Sequence, residues 1–252
     1  MNSNRILSYF CVSKQIKNMI LCLETATSTC SVALNEEGKT LALRECKGQN
    51  AHSEKITTFI KEVLEETGLG YHQLDAVAVS KGPGSYTGLR IGVSTAKGVC
   101  YASDRPLLAI DTLHAMAFGM RDRLGKETQP TDLFIPMIDA RRMEVYCAVF
   151  DANLNRLHDT QAVVFNNPLD LSPFTSHLSP RLWLFGDGAA KLAPLFNDKP
   201  QIHIVDDLLP SAAYMASLAD KAWKAQDFVD VAYFEPFYLK DFVAGQPHVK
   251  GL

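Results

Sequence analysis

Two acidic residues stand where many α/β proteins do their chemistry, each closing an apolar run. Glu24 ends Met19-Ile20-Leu21-Cys22-Leu23, and Asp139 ends Leu133-Phe134-Ile135-Pro136-Met137-Ile138. A carboxylate at the carboxyl end of a strand either holds a metal-bound nucleotide or bonds the turn that follows. The second chemical feature is Lys81-Gly82-Pro83-Gly84-Ser85-Tyr86-Thr87-Gly88-Leu89-Arg90-Ile91-Gly92, between an apolar run at 76–79 and a small-residue stretch at 93–102. Glycines around a proline allow a sharp turn into a helix, whose first N–H groups and positive dipole end suit an anion. A structural turn explains the same residues equally well. The order G-x-G-x-x-x-G lacks the trailing Gly-Lys-Ser/Thr of a Walker loop, and Pro83 occupies the first glycine of a nucleophile elbow. Arg90, one turn into the helix, reaches an anion, a carboxylate across an interface, or a nearby surface acid. The candidate nucleotide- or anion-binding set is therefore Glu24, Thr25, Gly82, Gly84, Ser85, Arg90 and Asp139.

Metal and nucleophile chemistry find little support. The seven histidines form no H-x-x-x-H pair, and the six cysteines (Cys11, Cys22, Cys30, Cys46, Cys100, Cys147) form no C-x-x-C. His52-Ser53-Glu54 has the deaminase H-x-E order without the Pro-Cys-x-x-Cys that must follow. Cysteines inside apolar runs read as buried, reduced thiols of a cytosolic protein.

The elements that must position these groups follow one order twice. Residues 19–24, 30–34 and 40–46 read as strands, the last two joined by a turn at 35–38. Residues 53–67 read as a helix with one apolar face and Gly68 as its stop. A strand at 74–79, a helix at 87–102, a strand at 106–110 and an Asp111-capped helix to about 123 complete the first set. After a polar linker at 126–131 the order recurs. Strands are expected at 133–139, 144–150 and 157–165, then a helix near 169–178. A strand at 182–185, a helix from Gly186-Asp187-Gly188 to 196, a strand at 202–205 and a helix at 211–225 follow. Two such copies predict an α/β protein of two ribonuclease-H-like halves facing across a cleft, with Glu24 and Asp139 in equivalent places. The expected domains are 19–125 and 126–252, with residues 1–18 an extension upstream of a native start at Met19.

Composition bounds the partners. The chain has 252 residues, 47% hydrophobic and 21% charged, with 25 Lys and Arg against 28 Asp and Glu and a net charge of −3. That describes a globular chain with a substantial core. A protein that grips nucleic acid unaided shows a basic excess, so any role with RNA requires a partner's positive surface. No apolar run reaches the length of a membrane span.

Leu23-Glu24-Thr25-Ala26-Thr27, the block 82–92, Asp139-Ala140-Arg141-Arg142-Met143-Glu144-Val145-Tyr146, Phe185-Gly186-Asp187-Gly188-Ala189 and Glu235-Pro236-Phe237-Tyr238-Leu239 together resemble the TsaB (YeaZ) family. The resemblance covers roughly residues 19–239. It implies an actin-like ATPase-domain arrangement and a part in making threonylcarbamoyladenosine beside the anticodon of tRNAs. In that pathway a synthase makes threonylcarbamoyl-AMP, the paralogous TsaD transfers the group to adenosine, and TsaB and the ATPase TsaE are required. TsaD-like transferases carry a metal-binding H-x-x-x-H on the helix where this chain has Thr112 and Met116, with lone His114 between them. They also carry an acid where Ser28 stands. The resemblance thus implies a non-catalytic scaffold with no metal or cofactor of its own, ATP being used by its partners. The superfamily's glycoprotease label finds no ligands or base here. The implied setting is the cytoplasm, with a TsaD-like transferase, a TsaE-like ATPase, tRNA met only through the complex, and a homodimer when alone.

In that family the first two helices contact TsaD, and TsaB alone pairs through the same surface. Here that implies Ile56, Ile60, Val63, Gly88, Gly92, Thr95 and Val99 as interface residues. The small residues of 87–102 permit close approach by a partner helix or, equally, by the chain's own sheet. The expectation is that Gly92→Leu or Gly98→Leu leaves the monomer folded and weakens the complex. The competing reading is an independent actin-like ATPase or small-molecule kinase, although 24–27 lack the usual Asp-Gly phosphate turn.

Overall fold

The computed structural model describes residues 18–48, 50–164, 181–196 and 199–240. The first half contains β1 (Met19–Glu24), β2 (Thr29–Glu36), β3 (Lys39–Lys47), α1 (Ala51–Thr67), β4 (Ala76–Gly82), α2 (Tyr86–Ser103), β5 (Leu107–Asp111) and α3 (Thr112–Leu124). The second contains β6 (Leu133–Asp139), β7 (Glu144–Asp151), β8 (Arg156–Val164), β9 (Leu182–Phe185), the short α4 (Ala193–Phe196), β10 (Ile202–Val205) and α5 (Ala216–Lys224). The expected helix at 169–178 and the residues before 18 lie outside the described residues.

Both sheets have one topology. The first runs β3-β2-β1-β4-β5 and the second β8-β7-β6-β9-β10. In each, the first three strands are antiparallel and the last two lie parallel to the central one. This is the ribonuclease-H-like order, present twice. Continuous apolar runs write the central strands because both faces of each sheet are covered. Local signals set the punctuation. Glu37 and Gly38 turn the β2–β3 hairpin at φ 49° and 78°, as a two-residue hairpin of right-handed twist requires. Gly68 closes α1 at φ 69°. Ser85 and Asp111 cap α2 and α3 by accepting from the Gly88 and His114 N–H groups.

The halves exchange helices. α1 and α2 cover one face of the first sheet, packing Ile56, Ile60, Val63, Val93 and Ala96 on Leu21, Val32 and Val77. α3 lies between the sheets: Ala115 packs with Ile20, Cys22, Ala78 and Leu108 of the first, and Leu113, Met116, Ala117 and Met120 pack on Phe134, Phe150 and Phe185 of the second. In return the turn Ala212–Met215 and α5 cover the far face of the first sheet, over Ile20, Cys22, Ala78 and Leu108. The division at 126–252 therefore needs correction. Residues from 211 return to the first half because the apolar stripe Ala212, Met215 and Ala219 matches that sheet's open face. The two late helices also differ from expectation, each beginning with a 3-10 turn, at Ala189–Leu192 and Ala212–Met215.

After α5 the chain stays on the first half. The Val229 N–H donates to the Leu107 carbonyl at 2.9 Å and the Phe237 N–H to the Lys81 carbonyl at 2.7 Å. Val231 and Phe234 press into the α1–α2 core. Among the described residues no helix is long and apolar enough to cross a membrane, and the five described cysteines are free thiols.

Candidate functional site

The carboxyl ends of β1, β4 and β6 face a cleft of about 1080 Å³ between the halves. Its walls are the β1–β2 turn (Ala26, Thr27, Ser28), the glycine loop (Gly84 to Gly88), the β6–β7 turn (Asp139 to Arg142) and the tail at Tyr238 to Lys240. Close backbone approach builds the first two walls. The Ser85 N–H donates to the Ala26 carbonyl at 2.6 Å, and a β-carbon on Gly84 or Gly88 would lie 2.3 Å from the Ala26 oxygen or 2.2 Å from the Thr25 oxygen. Glycine is required there by contact with the chain's own β1–β2 turn.

The predicted binding residues divide into two groups. Ser85 and Asp139 are exposed and Gly84 is half-buried, all three on the cleft wall. Glu24, Thr25 and Gly82 are buried beneath it. Glu24 accepts the Ala26 N–H on Oε1 at 2.6 Å, while its Oε2 has no hydrogen-bond partner among the described residues. Burial lifts its carboxyl to about 7, the Ala26 N–H opposing. Glu24 therefore bonds the turn that follows it and does not itself line the cleft. Gly82, at φ 108°, passes under the tail, where a β-carbon would meet the Phe237 oxygen at 2.7 Å.

Asp139 is partly engaged. Its Oδ1 accepts the Arg141 N–H at 2.7 Å and pairs with the Lys191 ammonium. At the start of α2, the Gly88 N–H is taken by the Ser85 hydroxyl at 3.3 Å and the Ser85 N–H by Ala26, so two of the anticipated anion donors serve the fold. Arg90 is not among the residues that line the cleft, but it holds two that are. It donates from Nε to the Tyr238 hydroxyl at 3.3 Å and lies 4.4 Å over the Tyr86 ring, which contacts the Tyr238 ring at 4.9 Å.

Several cleft groups escaped the sequence reading. His52, set aside with its H-x-E, places Nε2 2.7 Å from the Thr27 carbonyl, and burial lowers its pKa against the effect of that bond. Asp187 accepts the Asp139 N–H at 2.9 Å, and burial raises its carboxyl. Lys240 pairs with Glu144 and ties the tail to β7. The Gly186-Asp187-Gly188 turn was the available signal for Asp187. Nothing local marks His52 or Lys240.

Part of the expected interface set is corrected: Ile56 and Val63 are buried in the chain's own core, and Gly88 and Gly92 are buried against Thr25. A β-carbon on Gly92 would stand 2.2 Å from Thr25 Oγ1, so Gly92→Leu cannot leave the fold intact. Gly98 is the opposite case, with nothing within 4 Å of its β-carbon position. Ile60, Thr95 and Val99 of that set line, with Gly98, a shallow apolar groove of about 360 Å³ beside Thr57, Tyr71 and Ala102.

The whole chain, rather than the cleft alone, has relatives. A sequence family described as TsaD, tRNA N6-adenosine threonylcarbamoyltransferase, matches residues 47–244. The Haemophilus influenzae protein named tRNA threonylcarbamoyladenosine biosynthesis protein TsaB is 30% identical over 89% of this chain and 94% of its own. The Escherichia coli protein of the same name is also 30% identical, over 89% and 96%. The chain belongs to the TsaB family. A solved Pseudomonas aeruginosa structure described as similar to the peptidase YeaZ superposes with a TM-score of 0.71 at 28% identity. It covers 88% of this chain and all of its own. A second, described as YeaZ from the same organism, gives 0.69. These likenesses accord with an actin-like pairing of two ribonuclease-H-like halves.

Against the TsaB family background, α3 is informative. Thr112 and Met116, which the resemblance sets against H-x-x-x-H, both have fully buried side chains. His114 lies between them, its Nε2 3.1 Å from the Leu154 carbonyl and its ring stacked on Phe150 at 4.9 Å. Burial lowers its pKa. This imidazole is a packing group joining α3 to the second half.

Proposed function

We propose that this chain serves threonylcarbamoyladenosine biosynthesis as the non-catalytic partner subunit of a TsaD-like transferase. A TsaE-like ATPase supplies nucleotide turnover, and tRNA is met only through the complex. Alone, the chain pairs with itself; its compartment is the cytoplasm. The observation that carries this reading is α3. In a chain similar to TsaB over nearly its whole length, the helix that in a transferase bears the metal histidines carries Thr112 and Met116, both buried, with Met116 packed in the core of the second half. Neither side chain offers a cation what neutral imidazole does. The groove of Thr95, Gly98 and Val99 offers a partner an apolar place on the α1–α2 surface.

A second reading, nucleotide turnover by the chain itself, draws on the cleft and on Asp139 and Asp187 at its wall. Phosphoryl transfer needs a positioned metal and phosphate, and Asp139 is already paired with Lys191.

Reconstitution tests both. Synthase, TsaD, TsaE, ATP, threonine, bicarbonate and tRNA are combined with and without this chain, and threonylcarbamoyladenosine is scored by mass spectrometry. Modification that depends on the chain, with none when it replaces TsaD, supports the partner reading. Equal modification without it removes that reading, and metal-dependent ATP turnover by the isolated chain supports the second.

A further inference from the structure

Cys30 and Cys46 face each other across the β2–β3 ladder as direct register partners. The Gly48 N–H donates to the Ser28 carbonyl at 3.4 Å. The alternation of an antiparallel ladder therefore makes Cys30 and Cys46, two residues further in, a hydrogen-bonded pair with α-carbons about 5.5 Å apart. That separation lies within the roughly 4.4–6.8 Å a disulfide spans. Both side chains sit on the sheet face that α1 covers, where Cys30 is fully buried and Cys46 half-buried. The thiols sense each other electrostatically: the Cys46 sulfur adds to the burial that pushes Cys30 up to about 12. β3 ends the first sheet, so Cys46 is the member that solvent reaches.

The geometry points to Cys30 and Cys46 as an oxidative modification site that closes a cross-strand disulfide when the protein meets a hydroperoxide. In a reducing compartment the pair rests as two thiols. The Cys46 thiolate attacks the peroxide O–O bond, which breaks to release hydroxide and leaves Cys46 as a sulfenic acid. The Cys30 sulfur displaces the hydroxyl from Cys46, the S–S bond forms, and the Cys30 proton leaves with it as water. The two thiols lose two electrons and the peroxide gains them; a thiol reductant reverses the result by exchange. The attack order follows the burial. Cys30 stays protonated inside the core, so the half-exposed partner reacts first and the buried one resolves it. The product fixes the edge strand to β2 beside Gly48 and Asn50, which border the cleft.

The test treats the full chain with hydrogen peroxide, blocks free thiols and maps non-reduced peptides by mass spectrometry. The expected result is one Cys30–Cys46 linked peptide, two hydrogens lighter than its parts and lost on reduction. Amide exchange in β3 should slow at least tenfold in the oxidised protein. In Cys46→Ser, a half-exposed position that tolerates the change, Cys30 should stay reduced at the same dose. The proposal is overturned if Cys46 proceeds to sulfinic acid or pairs with another cysteine while Cys30 remains a thiol. It is equally overturned if Cys30 oxidises in Cys46→Ser.

Discussion

Gly92 lies flush against Thr25: a β-carbon on the glycine would fall 2.2 Å from the threonine Oγ1, a separation no pair of atoms tolerates. Thr25 is itself fully buried, at the turn out of β1. The contact holds α2 against the first strand and sets the depth at which the glycine loop enters the cleft. Gly92→Ala should therefore cost about 2–3 kcal/mol, the upper part of the range for overpacked cores. Gly98→Ala, one and a half turns further along the same helix, meets nothing and should stabilise it by up to about 1 kcal/mol. Urea unfolding of the two variants checks this. Equal stabilities would show that the Gly92 contact relaxes freely.

The groove at Gly98 carries the partner prediction. Gly98→Leu puts a side chain into the groove of Thr95, Val99 and Ala102 from a position whose β-carbon meets nothing within 4 Å. The variant should keep wild-type stability and bind a TsaD-like subunit at least about tenfold more weakly, or about 1.4 kcal/mol. Titration calorimetry against that subunit decides it. Undiminished affinity would place the interface elsewhere on the chain.

The strands were legible in the sequence almost to the residue. Met19–Glu24, Leu133–Asp139 and Leu182–Phe185 coincide with the apolar runs that predicted them, because double-sided burial leaves an unbroken hydrophobic record. What such a record cannot carry is destination. The stripe of Ile56, Ile60 and Val63 announces a buried helix face, yet the same stripe fits a partner or the chain's own sheet. Small residues at Gly88 and Gly92 announce close approach, but only the fold shows that Thr25 is the neighbour. Least legible was the returning tail. Arg90 and Tyr238 are separated by 148 positions, and no local pattern links a guanidinium in one helix to a phenol that far along the chain. The cleft suffers likewise, since Asp187, Lys191 and Lys240 reach Asp139 and Glu144 only through tertiary structure.

That tail gives a prediction about local rather than global stability. Arg90 is exposed, and it stacks on Tyr86 and donates one hydrogen bond to Tyr238, contacts that solvent screens. Arg90→Ala should leave global unfolding nearly unchanged. It should speed exchange of the Phe237 amide, bonded to Lys81, by about fivefold or more. Lysine should not rescue it, lacking the planar fork that both stacks and donates. Hydrogen exchange resolved at Phe237 is the measurement, and unchanged protection would detach Arg90 from the tail.

Glu24 makes stability depend on pH in a direction opposite to most carboxylates. Its folded pKa, about 7, lies above its ordinary 4.5, so the folded state holds the proton more tightly than the unfolded chain. Stability is then greatest below 4.5 as far as this group is concerned and declines as pH rises through 7. The full difference corresponds to about 3 kcal/mol at 1.36 kcal/mol per pKa unit. Glu24→Gln keeps an oxygen for the Ala26 N–H and cannot ionise. It should match wild type near pH 4 and exceed it by about 3 kcal/mol at pH 8, as read from urea midpoints at the two pH values. A variant less stable than wild type at pH 8 would mean that the carboxylate is ionised in the fold, with a cation or ordered water meeting Oε2 beneath the cleft floor.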